Sequence, residues 1–205
     1  MESSLPDPMH LFKAISTVAL LTWALSCGGG KIPPTRYYTL DLPPAPSPQA
    51  STAQESVAVR PVTAADPFAQ DRIVYRPSRH EVGFYEYHRW AADPRESVQS
   101  ALIEELEASG LFQTVSAYDG RMRPDYLLQA RIERLEEVDF ESGVKVYVEI
   151  AAELVDASTN RVVWTGTGEA SGTVGSPEVG AVVAEMSRAV TESLDQIVED
   201  LRQSL

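Results

Sequence analysis

Apolar side chains recur along this chain in three rhythms. From Phe12 to Leu25 they are nearly continuous: Phe12, Ala14, Ile15, Val18, Ala19, Leu20, Leu21, Trp23, Ala24 and Leu25. From Val144 to Ile150 they alternate, with Val144, Val146, Val148 and Ile150 set against Lys145, Tyr147 and Glu149. Successive strand side chains point to opposite faces, so this is a half-buried strand. From Val179 onward the spacing is three and four: Val179, Val182, Val183, Met186, Val190, Leu194, Ile197, Leu201 and Leu205. That is one face of a helix, with Glu185, Arg188, Glu192, Glu199 and Arg202 on its back. Pro177 starts it near Ser176.

The remaining pattern fits around these anchors. Val57 to Arg60 is a short strand stopped by Pro61, Arg72 to Tyr75 a second stopped by Pro77, and Glu81 to His88 an aromatic third. Asp93-Pro94 marks a helix start, with Asp as N-cap and Pro at the first helical position. Val98, Ala101, Leu102, Glu105-Leu106 and Ser109 trace its stripe, and Gly110 closes it. Tyr126 to Phe140, Val144 to Asp156 and Arg161 to Thr173 read as three strands of a meander, turning at 141–143 and 157–160. The order strands, helix, meander, helix predicts an α+β domain over residues 56–205: an antiparallel sheet with two helices packed on one face.

Upstream, Gly28 to Gly30 and the proline-rich stretch from Ile32 to Ala53 cannot build a core and read as a spacer. Within it, Arg36-Tyr37-Tyr38-Thr39-Leu40 is β-prone. Bare aromatics do not suit a linker, so residues 36–41 are expected to dock on a surface. Residues 27–55 thus form a flexible tether with a docking segment, able to span up to roughly 90 Å if free.

Charge narrows the partners. Thirty acidic against seventeen basic residues give −13, with no basic run, which speaks against nucleic acid and against attachment to an anionic membrane by charge. One cysteine, Cys27, excludes an internal disulfide and a cysteine-based zinc site. It follows an apolar run too short to span a bilayer but of signal-peptide length. Ser26 directly before it resembles a lipobox, with Ala24 and Leu25 in swapped order. The expectation is a signal peptide over residues 1–26 and acyl and diacylglyceryl lipid on Cys27, several chains at about 0.8 kcal/mol per buried methylene. Glu2 and Asp7 lie where a signal carries bases, so translation is predicted to start at Met9.

The search for chemistry yields little. His80, Glu86 and His88 would share one strand side, but eight residues of strand separate the histidines by some 26 Å, too far for one ion. No nucleophile elbow or phosphate loop appears. Gly166-Thr167-Gly168 lies in a strand without a following helix, unlike a dinucleotide loop. Glu136-Glu137 and Glu104-Glu105 read as solvated surface pairs. The expectation is a protein that is not an enzyme, with no metal and no cofactor beyond its lipid.

The lipobox cysteine, the Gly/Pro spacer and Arg36-Tyr37-Tyr38-Thr39-Leu40-Asp41 resemble the start of the ABC-type transport auxiliary lipoproteins, also called paraquat-inducible or membrane-integrity transport lipoproteins. The resemblance continues at Val57–Pro61, Asp71–Arg76, Tyr87-His88-Arg89-Trp90-Ala91, Gly110-Leu111-Phe112, Tyr126-Leu127-Leu128 and Leu154-Val155-Asp156, with a long final helix. The proline-rich stretch after Leu42 departs from it. The resemblance implies a lipid-anchored subunit at the periplasmic face, mostly in the outer membrane, which Gly28 after the cysteine also favours. It implies partnership with an MCE-domain protein and its ABC permease and ATPase, in lipid transport and membrane integrity, and leaves room for a homo-oligomer. The competing role is regulation of another envelope machine, such as peptidoglycan synthesis or lipopolysaccharide assembly. Tyr37, Tyr38 and Leu40 are the first candidates for partner contact, by adding a strand to their own sheet or a partner's. Tyr85, Tyr87 and Trp90 follow, with core packing as their alternative.

Overall fold

A computed structural model describes residues 32–47, 53–140 and 143–205. Cys27, the signal segment and part of the proline-rich stretch lie outside these residues. The chain divides into two compact units, Met1–Pro34 and Thr35–Leu205. The second, described from here on, begins well before Ser56 and takes in the docking segment.

Its strands are β1 (Arg36–Tyr38), β2 (Ser56–Val59), β3 (Thr63–Ala64), β4 (Arg72–Ser78), β5 (Glu81–Trp90), β6 (Thr114–Ala117), β7 (Tyr126–Val138), β8 (Lys145–Asp156) and β9 (Arg161–Thr173). Its helices are α1 (Pro94–Ser109) and α2 (Val179–Ser204). Among the described residues the nine strands make one sheet. β7 is its spine. Along one edge it pairs antiparallel with β8, and β8 with β9. Along the other edge three short strands follow end to end, all parallel to it: β2 at Tyr126–Leu128, β3 at Arg131–Ile132 and β4 at Glu136–Val138. The sheet then forks. β6 adds parallel to β2, while β5 adds antiparallel to β4 and β1 parallel to β5. The α+β class and the meander match the sequence reading, but the sheet is mixed.

Both helices serve the same core. Asp93 has an extended backbone and accepts a hydrogen bond from Arg95 N at 2.9 Å, and Gly110 ends α1 at φ 65°. Such a left-handed cap costs glycine nothing. Val98, Leu102 and Leu106 of α1 join Val182, Met186, Leu194, Ile197 and Leu201 of α2 over Leu128, Ile132, Val148, Ile150 and Leu154 of the sheet. α2 lies tightly on β9. A methyl at Gly168 would come 2.0 Å from the Ser193 carbonyl oxygen, so the motif read above as no dinucleotide loop is a seat for helix backbone. Trp164 Nε1 donates to Asp200 Oδ2 at 3.0 Å, Glu169 N to Gln196 Oε1 at 2.9 Å, and Arg188 Nη2 to the Ser171 carbonyl at 3.0 Å. β9 also carries a register shift opposite Leu154 and Val155. Among the described residues a small separate cluster, Ala58, Leu127 and Val155 with Tyr118 and Ala157, lies on the opposite sheet face.

Candidate functional site

The docking segment is bound to its own domain. Arg36, Tyr37 and Tyr38 pair with His88, Arg89 and Trp90. Ala91 N then donates to the Tyr38 carbonyl at 2.7 Å. Leu40 is buried in the core, and Asp41 N donates to Ser187 Oγ of α2 at 3.0 Å. Residues 36–41 are therefore a strap running from the sheet edge to the last helix.

Alternation sends the two tyrosines to opposite faces. Tyr37 points outward and is 65% exposed. Tyr38 stacks on His88 with ring centroids 5.6 Å apart, and its hydroxyl meets His88 Nδ1 at 2.8 Å. His88 meets Tyr85 edge-on at 5.3 Å, and Tyr85 meets Tyr75 at 4.9 Å. Tyr85 and His88 are three apart on β5 and would face opposite ways in a regular strand. The register shift between Arg72 and Val74 inserts extra β5 residues and brings them together. The ladder ends in a carboxylate, because the Tyr85 hydroxyl donates to Glu137 Oε2 at 2.9 Å.

Electrostatics follow from this burial. Desolvation, then the proximity of Asp139, pushes the Glu137 carboxyl up to about 7. Desolvation and that same carboxylate raise the Tyr85 phenol. Desolvation and the Arg36 charge hold His88 below its usual range. The ladder contains no activated nucleophile; its chemistry is stacking and hydrogen bonding that fix the strap.

The six candidate contact residues therefore separate. Tyr38 and Tyr85 belong to the ladder. Leu40 and Trp90 pack in the core of this chain, Trp90 being only 7% exposed. Tyr87 is half-buried, and a hydrogen bond to Glu86 raises its phenol. Tyr37 alone of the six is largely free. His80 lies in the β4–β5 turn, off the strand holding Glu86 and His88.

The pair Glu136-Glu137, read as solvated, is buried: Glu136 is 0% and Glu137 2% exposed. Glu136 accepts from Arg76 Nε at 2.7 Å and from Arg134 Nη2 at 2.8 Å. Arg134 also lies 4.7 Å over the Tyr147 ring. The cause is pairing across sequence, since β4 covers this end of β7. The strand-like run Leu135-Glu136-Glu137-Val138 was the one available signal, and it does not name Arg76 as partner. At the other end of β7 a hollow of about 560 Å³ is lined by Glu55, Tyr118, Met122, Asp125, Tyr126 and Asp156, among others. Two of its carboxylates are committed to the fold. Asp125 accepts from Ser56 Oγ and N at 2.7 and 2.8 Å, and Asp156 from Ser158 Oγ, Thr159 N and Ser158 N at 2.7, 2.8 and 2.9 Å. These bonds hold both below the usual carboxylate range.

The model of the ABC-type transport auxiliary lipoprotein component family matches residues 38–198, from the strap into α2. No curated protein matches the chain. A Xanthomonas campestris crystal structure, from a family of unknown function, is 22% identical with a TM-score of 0.67, covering 83% of this chain and all of that one. An uncharacterized protein is 13% identical with a TM-score of 0.65, over 82% of this chain and 99% of its own. A hypothetical protein from Chlamydia trachomatis is 12% identical with a TM-score of 0.51, over 74% and 98%. At these identities the likeness is one of fold.

Proposed function

Because the chain belongs to the ABC-type transport auxiliary lipoprotein component family, we propose that it is the non-catalytic lipoprotein subunit of an MCE-type ABC lipid transport system. Acylated Cys27 anchors it at the periplasmic face of the outer membrane. It takes no other cofactor. The observation that supports partner binding here is the strap: it forms a strand with one edge unpaired among the described residues, beside the exposed Tyr37. An extended segment of the MCE-domain protein adds to that edge through backbone hydrogen bonds, with Tyr37 as the side-chain contact. The carboxylate-committed hollow at the far end suits a ligand less well.

The test is a pull-down from detergent-solubilised envelopes with a C-terminal tag. An MCE-domain protein with its permease and ATPase is expected. Tyr37→Asp is expected to remove them while leaving the melting temperature unchanged. A peptidoglycan synthase or a lipopolysaccharide assembly factor in their place overturns the transport role.

A further inference from the structure

The strap shortens the tether, and the shortened tether selects one end of the domain. From Cys27 to Arg36 the chain has nine residues, about 30 Å at full stretch. Arg36 is fixed opposite His88, and Arg89 opposite Arg72, which puts the strap's start at the level of Ile73. β1 runs parallel to β5, so the chain before Arg36 heads toward the β4–β5 turn. From Ile73 to Ser78 is about 17 Å of strand. A leader of that length can therefore reach past the turn by at most roughly 13 Å. The opposite end is out of reach. Ile73 lies level with Leu135, given that Val74 pairs with Glu136, and from there back to Tyr126 is about 30 Å. The whole leader would be used before passing the loop at 118–125.

The end so selected is chemically suited to a lipid surface. Phe140 is 37% exposed there, with the Arg79 guanidinium 5.8 Å over its ring. His80 stands exposed in the same turn. A ring with a cation at its tip places apolar area at the headgroup boundary and charge among the phosphates. Glu81 and Asp139 are exposed at the same end, so the hold on the surface comes from the Phe140 ring and the acyl anchor, not from net charge.

We propose that the end formed by the β4–β5 turn and Phe140 rests on the membrane surface, held there by the strap, with the hollow at the far end of β7 pointing away. This rests on the acylated Cys27 of the functional reading. The experiment uses the full chain, processed in the cell, purified and placed in vesicles of phosphatidylethanolamine and phosphatidylglycerol carrying a nitroxide headgroup quencher. A fluorophore is attached at His80→Cys, at Arg123→Cys at the far end, or at Thr167→Cys on the open sheet face. Quenching several-fold stronger at position 80 than at 123 and 167 is the expected result. Tyr38→Ala with Leu40→Ser is expected to free the strap and level the three signals. Equal quenching in the otherwise unaltered chain, or strongest quenching at 167 or 123, overturns the proposal. Intact mass reads the anchor separately. An unmodified Cys27 overturns the anchoring and this proposal with it, whereas an acylated chain with equal quenching overturns this proposal alone.

Discussion

One added methyl group tests how α2 is held. In Gly168→Ala the new Cβ would sit 2.0 Å from the Ser193 carbonyl oxygen, 2.7 Å from its carbon and 2.9 Å from Cα. A carbon meets a carbonyl oxygen comfortably at about 3.3 Å, so the helix backbone must retreat by about 1.3 Å. Nothing soft lies in the way, since the obstacle is main chain. Overpacking of this kind costs about 1–3 kcal/mol. The retreat also stretches Trp164 Nε1 to Asp200 and Glu169 N to Gln196, each worth about 1 kcal/mol. A loss of about 3 kcal/mol follows, or a fall in melting temperature of roughly 6–12 °C for a domain of this size. Gly180→Ala is the control: nothing lies within 4 Å of its added methyl, and the same substitution early in α2 is expected to stabilise slightly. Thermal unfolding followed by circular dichroism reads both. A fall under about 2 °C for Gly168→Ala would refute the close approach of helix and strand.

Three further expectations follow from buried groups. Glu136→Gln leaves Arg76 and Arg134 side by side without their shared carboxylate; both arginines are partly solvated, so urea unfolding is expected to show a loss of about 2 kcal/mol, below the figure for a fully buried pair. Glu137 carries a folded pKa raised from 4.5 to about 7, so stability is full where the group is protonated in both states and declines as pH rises from its unfolded value through 7. Glu137→Gln is therefore expected to melt above the parent at pH 8, with the gain shrinking toward pH 5; an advantage independent of pH would contradict this. Trp90→Ala removes a core indole and is expected to cost about 3–5 kcal/mol; an unchanged melting temperature would return Trp90 to the surface.

Local signals carried much of the fold into the sequence. Asp93-Pro94 and Gly110 bracket α1 because capping is decided by neighbouring residues. The stripe of α2 and the turn at 157–160 are local as well, and the helix starts at Val179, close to Pro177; the turn expected at 141–143 lies partly outside the described residues. The sequence showed less of β3 and β6, with two and four residues, and of the parallel pairings along β7, which join segments with no pattern in common. The same non-local pairing hid the candidate site. Arg36 to Leu40 was legible as a segment that must dock, while its choice of its own sheet depended on β5, some fifty residues away. Glu137 and Tyr85 meet only because β4 lies between β5 and β7.

The grip of α2 on β9 bears on self-association. A thirteen-residue strand with one neighbour exposes a ladder of unused amides and carbonyls, which templates further strands and, eventually, fibrils. On β9 the Gln196 side chain occupies the Glu169 amide and Arg188 the Ser171 carbonyl, while the register shift kinks the other half. In this protein α2 closes an edge that would otherwise lie open to neighbouring chains.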